Sequence, residues 1–185
     1  MNKKINPSVL LLSLIFLSIF CFALYFSAHP VSWPNIQSKT ESTKIATVSG
    51  YFVQVEKVVD GDTINVVIDG HKTAVRFIGI NAPETYQGKS PECFAEDSFQ
   101  YVKNRIEGQQ VSLIADATQE NKDKYERLLR YIILGDGTNL NLELIQKGYA
   151  REYTYKIPYQ YQQEFRDAQV VAKTNTLGLW KACYK

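Results

Sequence analysis

Three short clusters in this 185-residue chain carry the residue types that phosphate chemistry needs. Asp60-Gly61-Asp62-Thr63 is an acidic turn, Arg76 precedes Asn81-Ala82-Pro83-Glu84-Thr85, and Asp123-Lys124-Tyr125-Glu126-Arg127 ends on a second arginine. Taken singly, they read as solvated turns, a surface arginine and a loop. Together they suit the cleavage of a phosphodiester, in which negative charge builds up on a five-coordinate phosphorus. Planar, permanently charged guanidinium forks match its oxygens. A carboxylate can align or deprotonate an attacking water, and a divalent cation on carboxylate and carbonyl oxygens can neutralise the phosphate. Arg76 is the hardest to set aside as surface charge. Ala74, Ile78 and Ile80, expected on its side of a strand, are all apolar, and a guanidinium among them needs an anionic partner from the protein or from a ligand.

The surrounding patterns say what must position these clusters. Residues 51–59 are rich in Val, and 63–69 alternate with Ile64, Val66 and Ile68 on one face, as strands do. Asp69-Gly70 predicts a tight hairpin that returns over 72–80, with Val75 and Phe77 on one face. Ala95, Phe99, Val102 and Ile106 form a helical stripe over 92–106. Residues 110–115 and 128–134 read as further strands. Asn141 is expected to cap a short helix ending at Gly148. Tyr161, Phe165, Ala168 and Ala172 make a last stripe, and Trp180 is expected to seal one end of the core. Three strands, a helix, two strands and two helices is the order of an α+β chain built on a five-stranded Greek-key barrel of the OB type, with about three helices.

The segments VVDGDTINV, VRFIGINAPET and DKYERLLRYI, in this order and spacing, resemble the staphylococcal nuclease family. GYAREYTYK and the closing Leu-Gly-Leu-Trp are also similar, so the resemblance runs from about residue 51 to Trp180. It implies an OB-fold barrel and a calcium-dependent nuclease that cuts DNA and RNA, prefers single strands and leaves 3′-phosphates. Matched by motif, Arg76 and Arg127 are the two arginines of the site, and Glu84 acts on the attacking water. Asp62 binds calcium with Asp60 as a supporting carboxylate, and Ala82 contributes a backbone carbonyl. Lys124 and Tyr125 contact a terminal phosphate, and Tyr153 and Tyr155 stack on a base. Two positions depart from the family pattern. Asn81 stands where Asp is usual, which removes a negative charge and predicts calcium binding in about the millimolar range. Glu126 stands where glycine is common and is expected to bend the turn before Arg127 differently.

Composition bounds the rest. With 45% apolar and 22% charged residues the chain is neither disordered nor, with 10 Gly and 6 Pro, fibrous or collagen-like. Two of its 21 basic residues, Lys3 and Lys4, precede residue 30, so the remainder balances its 19 acidic residues with equal numbers of basic ones. That neutrality argues against tight non-specific binding to nucleic acid. Residues 9–28 carry no charge and are long enough to span about 30 Å of hydrocarbon. With Lys3 and Lys4 before them they predict an N-terminal transmembrane anchor or a cleaved signal peptide, the anchor being favoured by length. The chain thus divides into residues 1–28, a polar linker over 29–47 and a globular domain over 48–185, expected to lie outside the cytoplasm as a monomer. There Cys93 and Cys183 can form a disulfide; two separate buried thiols are the other reading. A non-catalytic OB module that binds nucleic acid at the cell surface is the alternative to an enzyme, and an oligosaccharide-binding OB domain is a more distant one.

Overall fold

The computed structural model describes residues 52–85 and 90–184. The expected span over 9–28 and the linker lie outside them, and no helix among the described residues is long and apolar enough to cross a membrane.

Strands β1 (Phe52–Asp60), β2 (Thr63–Ile68), β3 (His71–Phe77), β5 (Gln110–Ile114) and β6 (Leu128–Ile133) close into a barrel in the order β1-β2-β3-β6-β5. The β2–β3 hairpin turns on Asp69 and Gly70, whose φ angles of 50° and 77° match the twist of the flanking strands. β1 pairs with both β2 and β5, and register shifts between Val55 and Lys57 and between Val58 and Asp60 let it bend from one neighbour to the other. β3 and β6 run parallel, which brings the chain segments that enter β6 and leave β3 close to one another. Val55, Ile64, Val66, Val75, Phe77 and Ile132 fill the barrel, and Val102 and Ile106 of helix α1 (Ala95–Ile106) join them. Helix α2 (Leu140–Gln146) packs on β6 and on α3 (Gln162–Thr174).

Three local expectations change. β3 stops at Phe77, because Gly79, at φ 78°, turns the chain out of the barrel. A Cβ there would lie 2.6 Å from the Tyr159 ring. Ile80–Asn81 (β4) instead pairs with Arg151–Glu152 (β7) in a separate two-stranded sheet, so Ile78 and Ile80 do not continue the Arg76 face of β3. Asn139, not Asn141, caps α2; its side chain accepts from the amides of Asn141 and Leu142. Asn141 is fully buried and ties the barrel together, accepting from Ile132 N at 3.0 Å and donating to the Ile78 carbonyl at 2.9 Å. Trp180 is half-buried and stacks on Tyr184, while its neighbour Leu179, on the short helix α4 (Leu179–Ala182), is the residue fully buried.

Candidate active site

The β2–β3 register sets Thr63 opposite Arg76, and this places the acidic turn beside the arginine. Arg76 Nη2 lies 2.9 Å from Asp62 Oδ2 and donates to Asn81 Oδ1 at 3.0 Å. Its Nη1 donates to the carbonyls of Phe77 and Ile80 at 2.7 and 2.9 Å. The anionic partner that Arg76 required is therefore Asp62. That carboxylate is 4% exposed; it also accepts from the Thr63 hydroxyl and the Ala82 amide, both at 2.9 Å. Burial pushes its carboxyl upward against the opposing pull of Arg76 and these hydrogen bonds.

Asp60 accepts from Gly61 N at 2.8 Å, and its carboxyl meets that of Glu84. Burial first, and then the contact with Glu84, push Asp60 up to about 7. Two carboxyls that meet in this way are relieved by a proton or by a cation. This all-oxygen, acidic donor chemistry fits a hard divalent ion. Asp62, with Asp60 in support, would be its carboxylate, with the Ala82 carbonyl and the Asn81 amide oxygen as neutral donors. The carboxylates are not gathered around one point, since no group of three or more His, Cys, Asp or Glu among the described residues is arranged to hold a metal. Asn81 Oδ1 faces Arg76.

The second arginine arrives from the other side of the β3–β6 junction. Asp123 organises its turn: Oδ1 accepts from the amides of Tyr125 and Arg127 at 2.9 and 3.1 Å, and Oδ2 accepts from Arg127 Nε at 2.7 Å. Burial pushes Asp123 up, but the hydrogen bonds and charge of Arg127 outweigh it and hold the carboxyl below its usual range. Arg127 Nη1 reaches the Thr63 hydroxyl at 3.5 Å. Glu126 takes φ 64°, the left-handed conformation for which glycine is the usual residue.

A cleft of about 800 Å³ gathers these pieces. Arg76, Asn81, Glu84 and Arg127 line it, with Lys124, Tyr125, Tyr153 and Tyr155 also on its walls. Lys124 and Arg127 lie over the Tyr125 ring at 4.9 and 5.4 Å, and the Tyr153 and Tyr155 rings are 6.4 Å apart. Tyr125 and Tyr155 are each about two-thirds exposed, so their faces are open to a planar ligand. Asp60, Asp62 and Ala82 are absent from the lining; Asp62 and Ala82 are buried beside Arg76. Cys93 and Cys183 lie outside the cleft, joined as a disulfide with Cα atoms 5.9 Å apart.

Sequence reasoning missed two parts of this site. Lys122 and Lys156 add cations to the cleft, with Lys156 Nζ 5.5 Å from the Tyr155 ring; the Tyr-Lys pair at 155–156 was the available signal. Asp116 was not singled out, yet it holds the segment that carries the two tyrosines. It is 4% exposed and accepts from Tyr131 Oη, Gln160 N, Thr118 N and Thr118 Oγ1 at 2.6–2.8 Å. Burial raises its carboxyl, but these hydrogen bonds overcome that and leave it below the ordinary value.

The family model described as "Staphylococcal nuclease homologue" matches residues 74–182. The thermonuclease of Staphylococcus intermedius is 33% identical over 97% of this chain and 99% of its own length. Endonuclease YncB of Bacillus subtilis is 32% identical over 69% of this chain and 61% of its own. An uncharacterized protein of Methanocaldococcus jannaschii is 27% identical over 96% of both.

Proposed function

The chain belongs to the staphylococcal nuclease homologue family, and we propose that it is a calcium-dependent nuclease hydrolysing DNA and RNA outside the cytoplasm, held at the membrane through residues 9–28. The observation that carries this reading is the convergence of Arg76, Arg127 and Glu84 on one cleft whose walls also bear Lys124, Tyr125 and Tyr155. Single strands are preferred, because unpaired bases can stack on exposed tyrosines.

Glu84 orients the water and takes its proton as the oxygen attacks phosphorus in line. The phosphorus–O5′ bond breaks, the leaving oxygen gains a proton, and the products are a 3′-phosphate and a 5′-hydroxyl. Arg127 and Arg76 stabilise the charge that develops on the non-bridging oxygens. Their donors are not equally free. Arg76 is engaged by Asp62, Asn81 and two carbonyls, so it acts mainly as fixed positive charge. Arg127 is 29% exposed, and although Asp123 engages its Nε and Nη2, its Nη1 is held only by the long contact to Thr63 and is the freer donor. Lys124 and Tyr125 hold the terminal phosphate. A bound calcium ion, held by Asp62 with Asp60, Asn81 and the Ala82 carbonyl, would neutralise phosphate charge.

Asn81 favours a second reading, in which the module binds nucleic acid without cutting it, because its amide oxygen is occupied by Arg76. The two readings separate when the full chain is incubated with a single-stranded oligonucleotide over a calcium titration. Cleavage that stops on chelation supports the enzyme; binding without cleavage at every calcium concentration supports the second reading. Asn81→Asp is expected to lower the calcium needed for half-maximal activity, and an unchanged midpoint would remove Asn81 from the metal ligands.

A further inference from the structure

We propose that the Cys93–Cys183 bridge is a positioning element for the reaction, clamping the turn that carries Glu84 to the carboxy-terminal helix. The inference rests on the reading of Glu84 as the carboxylate that acts on the water.

Glu84 is held from two sides. Before it, Ala82 N donates to buried Asp62 at 2.9 Å, and Pro83 fixes the connecting φ. After it, the contacts pass through Glu92. Glu92 N donates to the Glu84 carbonyl at 3.0 Å, and Glu84 N donates to Glu92 Oε2 at 3.3 Å. The second of these bonds is exposed to water and weak on its own, so its value depends on how firmly Glu92 is placed. The next residue, Cys93, supplies that firmness through its bond to Cys183. The local backbone adds one bond, from Ala95 N to the Glu92 carbonyl at 3.1 Å, and little else. Phe94 sits at φ 70°, and α1 begins without a side-chain cap.

The other end of the bridge stands on fixed ground. Cys183 N donates to the Leu179 carbonyl, and Leu179 N to the Gly148 carbonyl, both at 2.9 Å. Leu179 is fully buried. Gly148 and Gly178 approach so closely that a Cβ on either would collide with the opposing backbone. Cys93 is exposed and Cys183 half-buried, so a small dithiol reaches the bond. Two electrons from the dithiol convert the bridge to two thiols while the dithiol closes to its own disulfide.

Opening the bridge is expected to lower kcat tenfold or more with KM changed less than twofold, since a catalytic group misplaced by an ångström costs about a hundredfold. The test compares the full chain carrying Cys93→Ala/Cys183→Ala, Glu92→Ala, or all three substitutions, with circular dichroism and melting confirming the fold at the assay temperature. Each set should lower kcat by a similar factor, and the combination should lose no more than either, because both act through one contact. Glu92→Gln keeps an acceptor oxygen and should retain activity. Should the cysteine variant not fold, a dithiol titration of the unsubstituted chain beside Glu92→Ala reads the same coupling. A folded cysteine variant with full kcat, a change confined to KM, or losses that multiply would overturn the clamp. Glu84→Ala, assayed alongside, separates the two claims. If it stays active, the reading of Glu84 falls; if it is inactive while the cysteine variant keeps full kcat, only the clamp falls.

Discussion

Arg76 neutralises a carboxylate that the fold has already buried, and that structural role is separable from any part in chemistry. Removing the guanidinium leaves Asp62 charged at 4% exposure, and breaking a buried pair from one side costs about 3–5 kcal/mol. Arg76→Met is therefore expected to lose stability as well as activity, whereas Arg127→Met, at a half-open position, should lose activity with a much smaller shift in Tm. Asp116 gives a residue-scale prediction for acid. Its native carboxyl sits below the 3.8 of the unfolded chain, so the unfolded state binds protons first as pH falls. Its contribution is complete above that value and is lost as pH drops through the native one. Asp116→Asn should cost about 1–3 kcal/mol near neutral pH, through unmatched buried donors, and should flatten the acid limb of a stability-against-pH curve. Of these two residues only Arg76 was legible in the sequence, through the motif it shares with Asn81–Thr85; the apolar face expected around it ends at Phe77, where the chain leaves the barrel. Asp116 lies in a stretch without periodic pattern, and its role depends on Tyr131 and Gln160, which only the fold brings to it.

At the scale of elements, the turn before Arg127 shows how a departure in sequence is absorbed. Glu126 takes the left-handed backbone at φ 64°, which costs a residue with a Cβ roughly 1–2 kcal/mol. Glu126→Gly should leave stability unchanged or slightly raised, while Glu126→Val should lower it by more than 1 kcal/mol on the order of that same strain; denaturant midpoints read both. The disulfide closes a separation of 90 residues, for which chain entropy allows at most about 4–5 kcal/mol, so the oxidised chain should melt well above the reduced one. Strands β1, β2, β5 and β6 were legible because alternation and the Asp69-Gly70 turn are local signals. The early end of β3 and the β4–β7 pair were not. Gly79 turns there because the Tyr159 ring, 80 residues away, fills the space beside it. Asn141 was misread for a related reason: a polar residue beside a helix start resembles a cap until the barrel bonds that bury it are known.

For the whole molecule, the formal charge of +2 and a neutral remainder limit how tightly nucleic acid is held, while the cleft concentrates cations where phosphate would lie. With all five cations of the cleft engaged, the slope of log affinity against log salt on single strands should be no steeper than about −3.5; a slope near −6 would mean that much of the surface outside the cleft takes part. The barrel order and the three motifs could be read from the sequence together because their spacing fits one topology. Their meeting in a single cleft required the parallel β3–β6 contact, which joins residues 53 positions apart, such as Arg76 and Leu129. That meeting is tested most directly by the single-turnover rate of cleavage of a short single-stranded oligonucleotide in calcium, measured for the full chain and for Glu84→Ala. A loss of about 10²–10⁴-fold with the oligonucleotide still bound is the predicted result; an undiminished rate in the folded variant would contradict it.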